Sequence, residues 1–300
     1  MIYTITLNPA FDLHYEMEEF VPFAENYVKN AKRSSGGKGI NVSKALNALD
    51  VENKAIVVLG MENGADFIRE LSGIDIVSFE TEGRIRENIT IHPSEGKETR
   101  ISLDNFFLKK EVFLNVKNYL TKTVKTGDFV VFAGRIPKGL EKEEVKSFLK
   151  DIKNKGAFLV LDSNSFLLSD ISDISPFLVK PNEEEIRELF SGNDGDYKIL
   201  AEKLNLAGAK NVMISLGKEG VYYSGCGESF LVKAPEIVPL STIGAGDSTI
   251  AGFVVGIEKG YSIRDSVRLA VSSGSAACLA EGTDAPKAED IKALFDKTEK

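Results

Sequence analysis

The feature that most constrains this chain is a repeated alternation of short apolar runs with amphipathic stretches. Apolar runs of strand length lie at residues 2–7, 55–59, 129–132, 158–161, 177–179 and 212–215. Amphipathic helical patterns lie at 39–49, 64–71, 142–153 and 183–190. A strand apolar at every position has no face to give to water. A helix in the connection is what returns the chain to the start of a parallel neighbour. The alternation therefore predicts an α/β fold whose mostly parallel sheet is covered on both faces.

Two segments break the rhythm. In residues 12–34 and 83–105 polar and apolar residues interleave, as in Ile85-Arg86-Glu87-Asn88-Ile89-Thr90-Ile91. Such alternation fits strands with one wet face, hence a small sheet standing off the main body. Strands exposed in this way often pack with a second subunit. From residue 245 the chain reads as helical, through 247–258, 262–279 and 287–297, with Ile250, Phe253, Val254 and Ile257 on one face. No internal repeat or low-complexity tract is visible.

Length suits about two domains, or one large α/β unit with an accessory element. A formal charge of −8 argues against a nucleic-acid partner, so an anionic ligand must be met by a local cluster of cations. Cys226 and Cys278 are the only cysteines, which makes a disulfide framework or zinc site unexpected and suggests a reducing compartment. No basic leader opens the chain, and no apolar run approaches the roughly 20 residues of a membrane span. The expectation is a cytoplasmic protein.

Function is to be sought in a set of turns. Residues 241–248 read Ser-Thr-Ile-Gly-Ala-Gly-Asp-Ser and run into a helical pattern. A helix N-terminus leaves N–H groups unpaired and partly positive, and Gly244-Ala245-Gly246 lets a phosphate approach that backbone closely. The turn alone leaves Asp247 two readings, a cap on its own helix or a carboxylate acting on a ligand. It lacks the third glycine of G-x-G-x-x-G, and Lys38 is followed by Gly39 rather than the Ser or Thr of a P-loop. Ser35-Gly36-Gly37-Lys38-Gly39-Ile40-Asn41 is a second glycine turn entering a helix. In Lys180-Pro181-Asn182-Glu183-Glu184-Glu185, Asn182 and Glu185 share a helix face that suits a hard cation through oxygen or bound water. Ser215-Leu216-Gly217-Lys218-Glu219-Gly220 is a strand running into a tight turn. Each alone is also what a generic turn or capped helix would show.

Their order is specific. Asn8-Pro9-Ala10-Phe11-Asp12, Gly-Gly-Lys-Gly-x-Asn, Lys-Pro-Asn-x-x-Glu, Ser-Leu-Gly-Lys-x-Gly and Gly-Ala-Gly-Asp, in that sequence, resemble the ribokinase-like sugar kinases over essentially the whole chain. Residues 7–12 and 241–248 resemble the phosphofructokinase B branch, closest to its 1-phosphofructokinases and tagatose-6-phosphate kinases. The resemblance implies an α/β, three-layer αβα sandwich with a mostly parallel central sheet and a small β-sheet lid. Residues 1–300 would form one kinase domain, with lid strands within 12–34 and 83–105 and a homodimer contact through the lid.

It also implies ATP-dependent phosphorylation of a phosphohexose, fructose 1-phosphate to fructose 1,6-bisphosphate, with tagatose 6-phosphate and fructose 6-phosphate as alternatives. A non-catalytic sugar-phosphate sensor on the same fold is the competing reading, but a sensor has no need of Asp247, Asn182 and Glu185 together. By resemblance, Asp247 is the general base beside an anion site at Gly244, Ala245 and Gly246. Asp12, Gly36, Gly37, Lys38 and Asn41 belong with the sugar, and Arg86 with its existing phosphate. Lys180, Asn182, Ser215, Gly217 and Gly220 belong with ATP, and Asn182 and Glu185 with Mg²⁺. Gly274 lies either near adenine or at a close helix contact. One departure is Arg135, in Gly134-Arg135-Ile136-Pro137 where the branch commonly has Gly-Ser-x-Pro: a second phosphate ligand or a solvent-facing turn residue. His14 and His92 fall in the lid segments, where no catalytic or metal role is expected.

Overall fold

A computed structural model describes residues 1–190 and 195–298. The chain enters as β1 (Ile2–Thr6), leaves on an excursion through β2 (Ala10–Met17) and β3 (Asn30–Gly36), and returns by α1 (Lys38–Ala48) to β4 (Asn53–Gly60). After α2 (Gly64–Arg69) and β5 (Ile76–Thr81), a second excursion, β6 (Arg86–Pro93) and β7 (Thr99–Ser102), precedes α3 (Lys110–Thr123) and β8 (Phe129–Ala133). Helix and strand then alternate through α4 (Lys142–Asn154), β9 (Phe158–Asp162), α5 (Leu168–Ile174) and β10 (Leu178–Val179). Two helices, α6 (Glu183–Leu189) and α7 (Tyr197–Leu206), lead to β11 (Asn211–Ser215) and the hairpin β12 (Val221–Gly225) and β13 (Glu228–Val232). The last elements are α8 (Ala245–Glu258), α9 (Ile263–Ala277) and α10 (Ala288–Lys297).

Nine strands form one sheet in the order β13-β12-β11-β10-β9-β8-β1-β4-β5, parallel throughout except for the β12–β13 edge. Its central strands are apolar at every position because each serves two cores in turn. On β8, Val130 and Phe132 join Val116, Val145, Phe148 and Leu200 on the side of α3, α4 and α7. Phe129 and Val131 join Leu46, Ile250, Phe253, Val267 and Ile291 on the side of α1, α8, α9 and α10. The expected αβα sandwich is therefore present, with the cores on either face of a shared sheet.

The two excursions meet in a second sheet, β3-β2-β6-β7, in which β2 and β6 run parallel. Its pleat sorts the side chains. Asp12, His14, Asn88, Thr90 and Arg100 fall on one face, and Leu13, Tyr15, Ile89, Ile91 and Ile101 on the other. This is the small sheet expected from the interleaved segments. Among the described residues no helix is long and apolar enough to cross a membrane.

Candidate active site

Strand β1 lies between β4 and β8, and the chain winds outward from it in both directions. In an open α/β sheet such a switch of direction parts the connections and opens a crevice beyond the carboxyl ends of the strands. Residues at those ends line it here: Asn8 after β1, Gly134 and Arg135 after β8, Asp162 closing β9, Lys180 after β10 and Ser215 closing β11. The small sheet adds Asp12, Arg86, Asn88 and Arg100, and the starts of α1 and α8 add Lys38, Asn41 and residues 244–247. The cleft encloses about 1370 Å³, more than the roughly 300–1,000 Å³ of a single small-ligand site. Every residue singled out from the sequence lines it except Gly36, which lies just behind. A Cβ at Gly36 would stand 2.2 Å from Asp12 Oδ2, so only glycine leaves that carboxylate in place.

The start of α8 is built as an anion site. Gly244 is its N-cap, held at φ 77°, and supplies no capping side chain. The first turn's amides are thus left to a ligand. Lys180 reaches in from β10, and a Cβ at Gly246 would lie 3.1 Å from its Nζ. Lys180 pairs with Asp162 at 3.6 Å, and Lys38 pairs with Asp162 at 3.0 Å and Glu185 at 3.9 Å. Burial alone would raise the Asp162 carboxyl, but Lys180 and Lys38 outweigh it and hold the group below its usual range. Burial alone would likewise lower Lys38, yet Asp162, Asp247 and Glu185 keep its ammonium charged well beyond the ordinary range. Lys38, placed with the sugar by the resemblance, turns its ammonium toward Asp162 and Glu185. Asp162 stands in none of the sequence motifs; it reaches the cleft because β9 ends there.

Asp247 lies in the first turn of α8 and is 6% exposed. Its Oδ2 accepts from Asn41 Nδ2 of α1 at 2.9 Å, and α8 has no side-chain cap. Burial pushes its carboxyl up to about 6; Lys38, Asn41 and Lys180 oppose the shift, and Asp162 adds to it. A carboxylate poised near neutral pH inside a cleft suits proton transfer. The other side-chain atom of Asn41, Oδ1, is buried with no partner among the described residues, which leaves an acceptor for a ligand hydroxyl.

At the small-sheet end, Asp12 Oδ1 accepts from Asn88 Nδ2 at 2.9 Å. Arg86 donates through Nη1 to Asn88 Oδ1 at 2.6 Å and through Nε to Asn8 Oδ1 at 2.8 Å. Burial raises the Asp12 carboxyl. Arg86, Arg100 and Arg135 come from β6, β7 and the turn after β8 to line this end. The sequence pointed to the first and third; Arg100 sits in no motif and is placed by strand register alone, opposite Thr90.

At the other end, Asn182 and Glu185 form a capping box. Asn182 Oδ1 accepts from Glu185 N, and Glu185 Oε2 accepts from Asn182 N, both at 2.8 Å. This commits the Asn182 side chain to its helix and leaves Glu185 Oε1 facing Lys38. Ser215 Oγ is buried without a partner among the described residues. Gly217 and Gly220 hold φ values of 57° and 107° in the turn that follows it. Gly274 makes the helix contact: a Cβ there would stand 2.4 Å from Thr249 Oγ1 and 3.1 Å from Ala245 O. His14 and His92 pair with each other at 2.9 Å in the small sheet. Among the described residues no three ligand-type side chains form a closed metal site. An ion held by one or two carboxylates together with ligand phosphates, the habit of Mg²⁺, does fit Glu185 and Asp162.

The sequence pattern of the pfkB family carbohydrate kinases matches residues 6–290. The 1-phosphofructokinase of Borreliella burgdorferi is 33% identical over 288 residues, covering 93% of this chain and 92% of that protein. The tagatose-6-phosphate kinase of Staphylococcus epidermidis is 27% identical and covers 100% of this chain and 99% of its own. The crystal structure of phosphofructokinase-2 from Escherichia coli in complex with substrates and products superposes with a TM-score of 0.92 at 25% identity, covering 99% of this chain and 98% of that one. A cleft at the sheet's switch point, a helix N-terminus open to an anion and a likeness running the length of the chain lead to one assignment: this protein belongs to the pfkB family of carbohydrate kinases, phosphotransferases with an alcohol acceptor.

Proposed function

We propose that this kinase transfers the γ-phosphoryl group of ATP to a hydroxyl of fructose 1-phosphate, giving fructose 1,6-bisphosphate and ADP. The observation that carries the reading is the polarity of the cleft. Three arginines and Asp12 line it from the small sheet and the turn after β8, and the base Asp247 lines it from the first turn of α8. A dianionic sugar is met by guanidinium groups, which take phosphate with two parallel bonds. Asp12 and Asn41 Oδ1 accept hydroxyl donors, and Asp247 takes the proton of the acceptor hydroxyl as it attacks. Charge on the transferring group falls on the amides of Gly244–Asp247 and on the ammonium groups of Lys38 and Lys180, a matter of positioning and electrostatics. Lys180 and the turn from Ser215 to Gly220 hold the nucleotide. Asp162 and Glu185 would hold Mg²⁺, which when bound neutralises phosphate charge. The whole chain acts as one domain of the cytoplasm, with the small sheet as its lid and its apolar face joining two copies.

A second reading, phosphorylation of tagatose 6-phosphate, is favoured by the relative of that name. The test is turnover of ATP with fructose 1-phosphate, tagatose 6-phosphate, fructose 6-phosphate and unphosphorylated fructose. The proposal expects the highest kcat/KM on fructose 1-phosphate and the lowest on fructose. Equal rates on fructose and its phosphates would overturn it.

A further inference from the structure

Asn88 sits directly across from Asp12 in the parallel β2/β6 register, and Arg86 lies two residues earlier on the same face of β6. The Asn88 amide accepts from Arg86 Nη1 at 2.6 Å and donates to Asp12 Oδ1 at 2.9 Å. It is a neutral spacer with one end on a guanidinium and the other on a carboxylate. The other bonds of Arg86, to Asn8 Oδ1 at 2.8 Å and Leu103 O at 3.3 Å, also go to neutral oxygens.

A guanidinium and a carboxylate sharing a half-buried pocket attract strongly, because water screens them weakly there. A direct pair between them would use up both groups. Asp12 would lose acceptor sites for hydroxyls, and Arg86 would lose N–H donors that grip phosphate. An amide prevents this because it carries a donor and an acceptor at one tip. A serine is too short to reach both partners. An aspartate would pair with Arg86 and repel Asp12, and a leucine would hold neither.

We infer that Asn88 is a positioning residue that keeps Asp12 and Arg86 apart, so that one reads hydroxyls and the other reads the phosphate already on the sugar. The inference rests on the phosphosugar reading above and deepens it. A sugar lacking either feature would leave one of the two charged groups unanswered. Discrimination between phosphorylated and free sugar is then a property of the spacing, not of Arg86 alone.

The experiment uses the full chain with Asn88→Leu and Asn88→Ser. Both are expected to raise KM for fructose 1-phosphate about 10-fold or more, with KM for ATP within about twofold, consistent with losing charge-assisted contacts. The decisive measurement is competitive inhibition by inorganic phosphate against the sugar. Asn88→Leu should weaken that inhibition about 10-fold. Adding Asp12→Asn, which removes the group onto which Arg86 would collapse, should restore it to within about threefold of the parent. A residue with only a structural role would leave the double variant as weak as the single one, and that result overturns the inference. Unchanged sugar-phosphate KM in both Asn88 variants does so as well. Arg86→Ala separates the two levels. If it too changes neither KM nor phosphate inhibition, the phosphosugar reading itself fails; if it weakens both while the Asn88 variants do not, only the inference falls.

Discussion

Asp247 has to be ionised to accept a proton, yet its surroundings favour the neutral acid, with burial as the main cause and a folded-state value of about 6. The rate at limiting sugar should therefore fall as pH drops through about 6. Asp247→Asn should lower kcat by about 10²-fold or more and abolish that limb. The same shift bears on stability with a definite sign. The folded state binds this proton more tightly than an unfolded chain with the ordinary value of 3.8. Its favourable contribution is thus complete at low pH and is lost as pH rises through about 6. Relative to the parent, Asp247→Asn should gain on the order of 1–3 kcal/mol between pH 4 and pH 8, read from denaturant midpoints at both. A gap that does not change with pH would show a carboxyl titrating normally. Arg86 carries a second expectation. Arg86→Ala should weaken sugar-phosphate binding about 10- to 100-fold and Arg86→Lys should recover part of it, since Lys lacks the fork. Uniform losses on fructose 1-phosphate and fructose would remove Arg86 from phosphate recognition. Much of this site was legible because glycine turns and the carboxylates beside them sit in contiguous motifs. Asp162, Asn88 and Arg100 were not, because strand register and sheet order, not local sequence, bring them to the cleft.

Helices α8 and α9 show how an element can be fixed by what it lacks. A Cβ on Gly252 would stand 2.6 Å from Leu269 O and 2.8 Å from Ala270 Cα, and one on Gly256 would stand 2.7 Å from Ser266 Cα. Alanine improves helix propensity by up to about 1 kcal/mol, but the clash is with backbone, which has little room to move. Gly252→Ala should therefore destabilise by about 1–3 kcal/mol; a higher Tm than the parent would refute the close contact. Elements with a strong local signal were read correctly from sequence, above all the two-sided strands β1, β8 and β9. Others had weak punctuation. Helix α3 has Lys109 at its N-cap, where no side chain caps it. The β12–β13 hairpin turns through Cys226 and Gly227, both at positive φ, where Asn-Gly would have announced the turn. Strand β5 is half-exposed at the sheet edge, so its pattern is neither fully apolar nor cleanly alternating.

For the whole molecule the exposed side of the lid matters most. Ile101 on β7 is 45% exposed, and in the connection from β2 to β3 Tyr27 is 76% exposed and Phe23 fully, exposed apolar side chains of the kind found at interfaces. The proposed dimer should appear at twice the 32.8 kDa chain mass in sedimentation, and Ile101→Asp should shift it to monomer. Retention of the dimer would place the contact elsewhere. The lid is a single layer of backbone, so the residues proposed to touch the sugar and those proposed to touch a second copy alternate along the same strands. Any ordering of that ladder by one ligand is felt by the other, and the exchange is reciprocal: whatever factor dimerisation adds to sugar affinity, sugar adds to dimer affinity. The apparent affinity for sugar phosphate should then depend on enzyme concentration, tightening as the protein is concentrated through its dimer dissociation constant. An affinity independent of concentration across that range would mean that the two faces of the lid act without reference to each other.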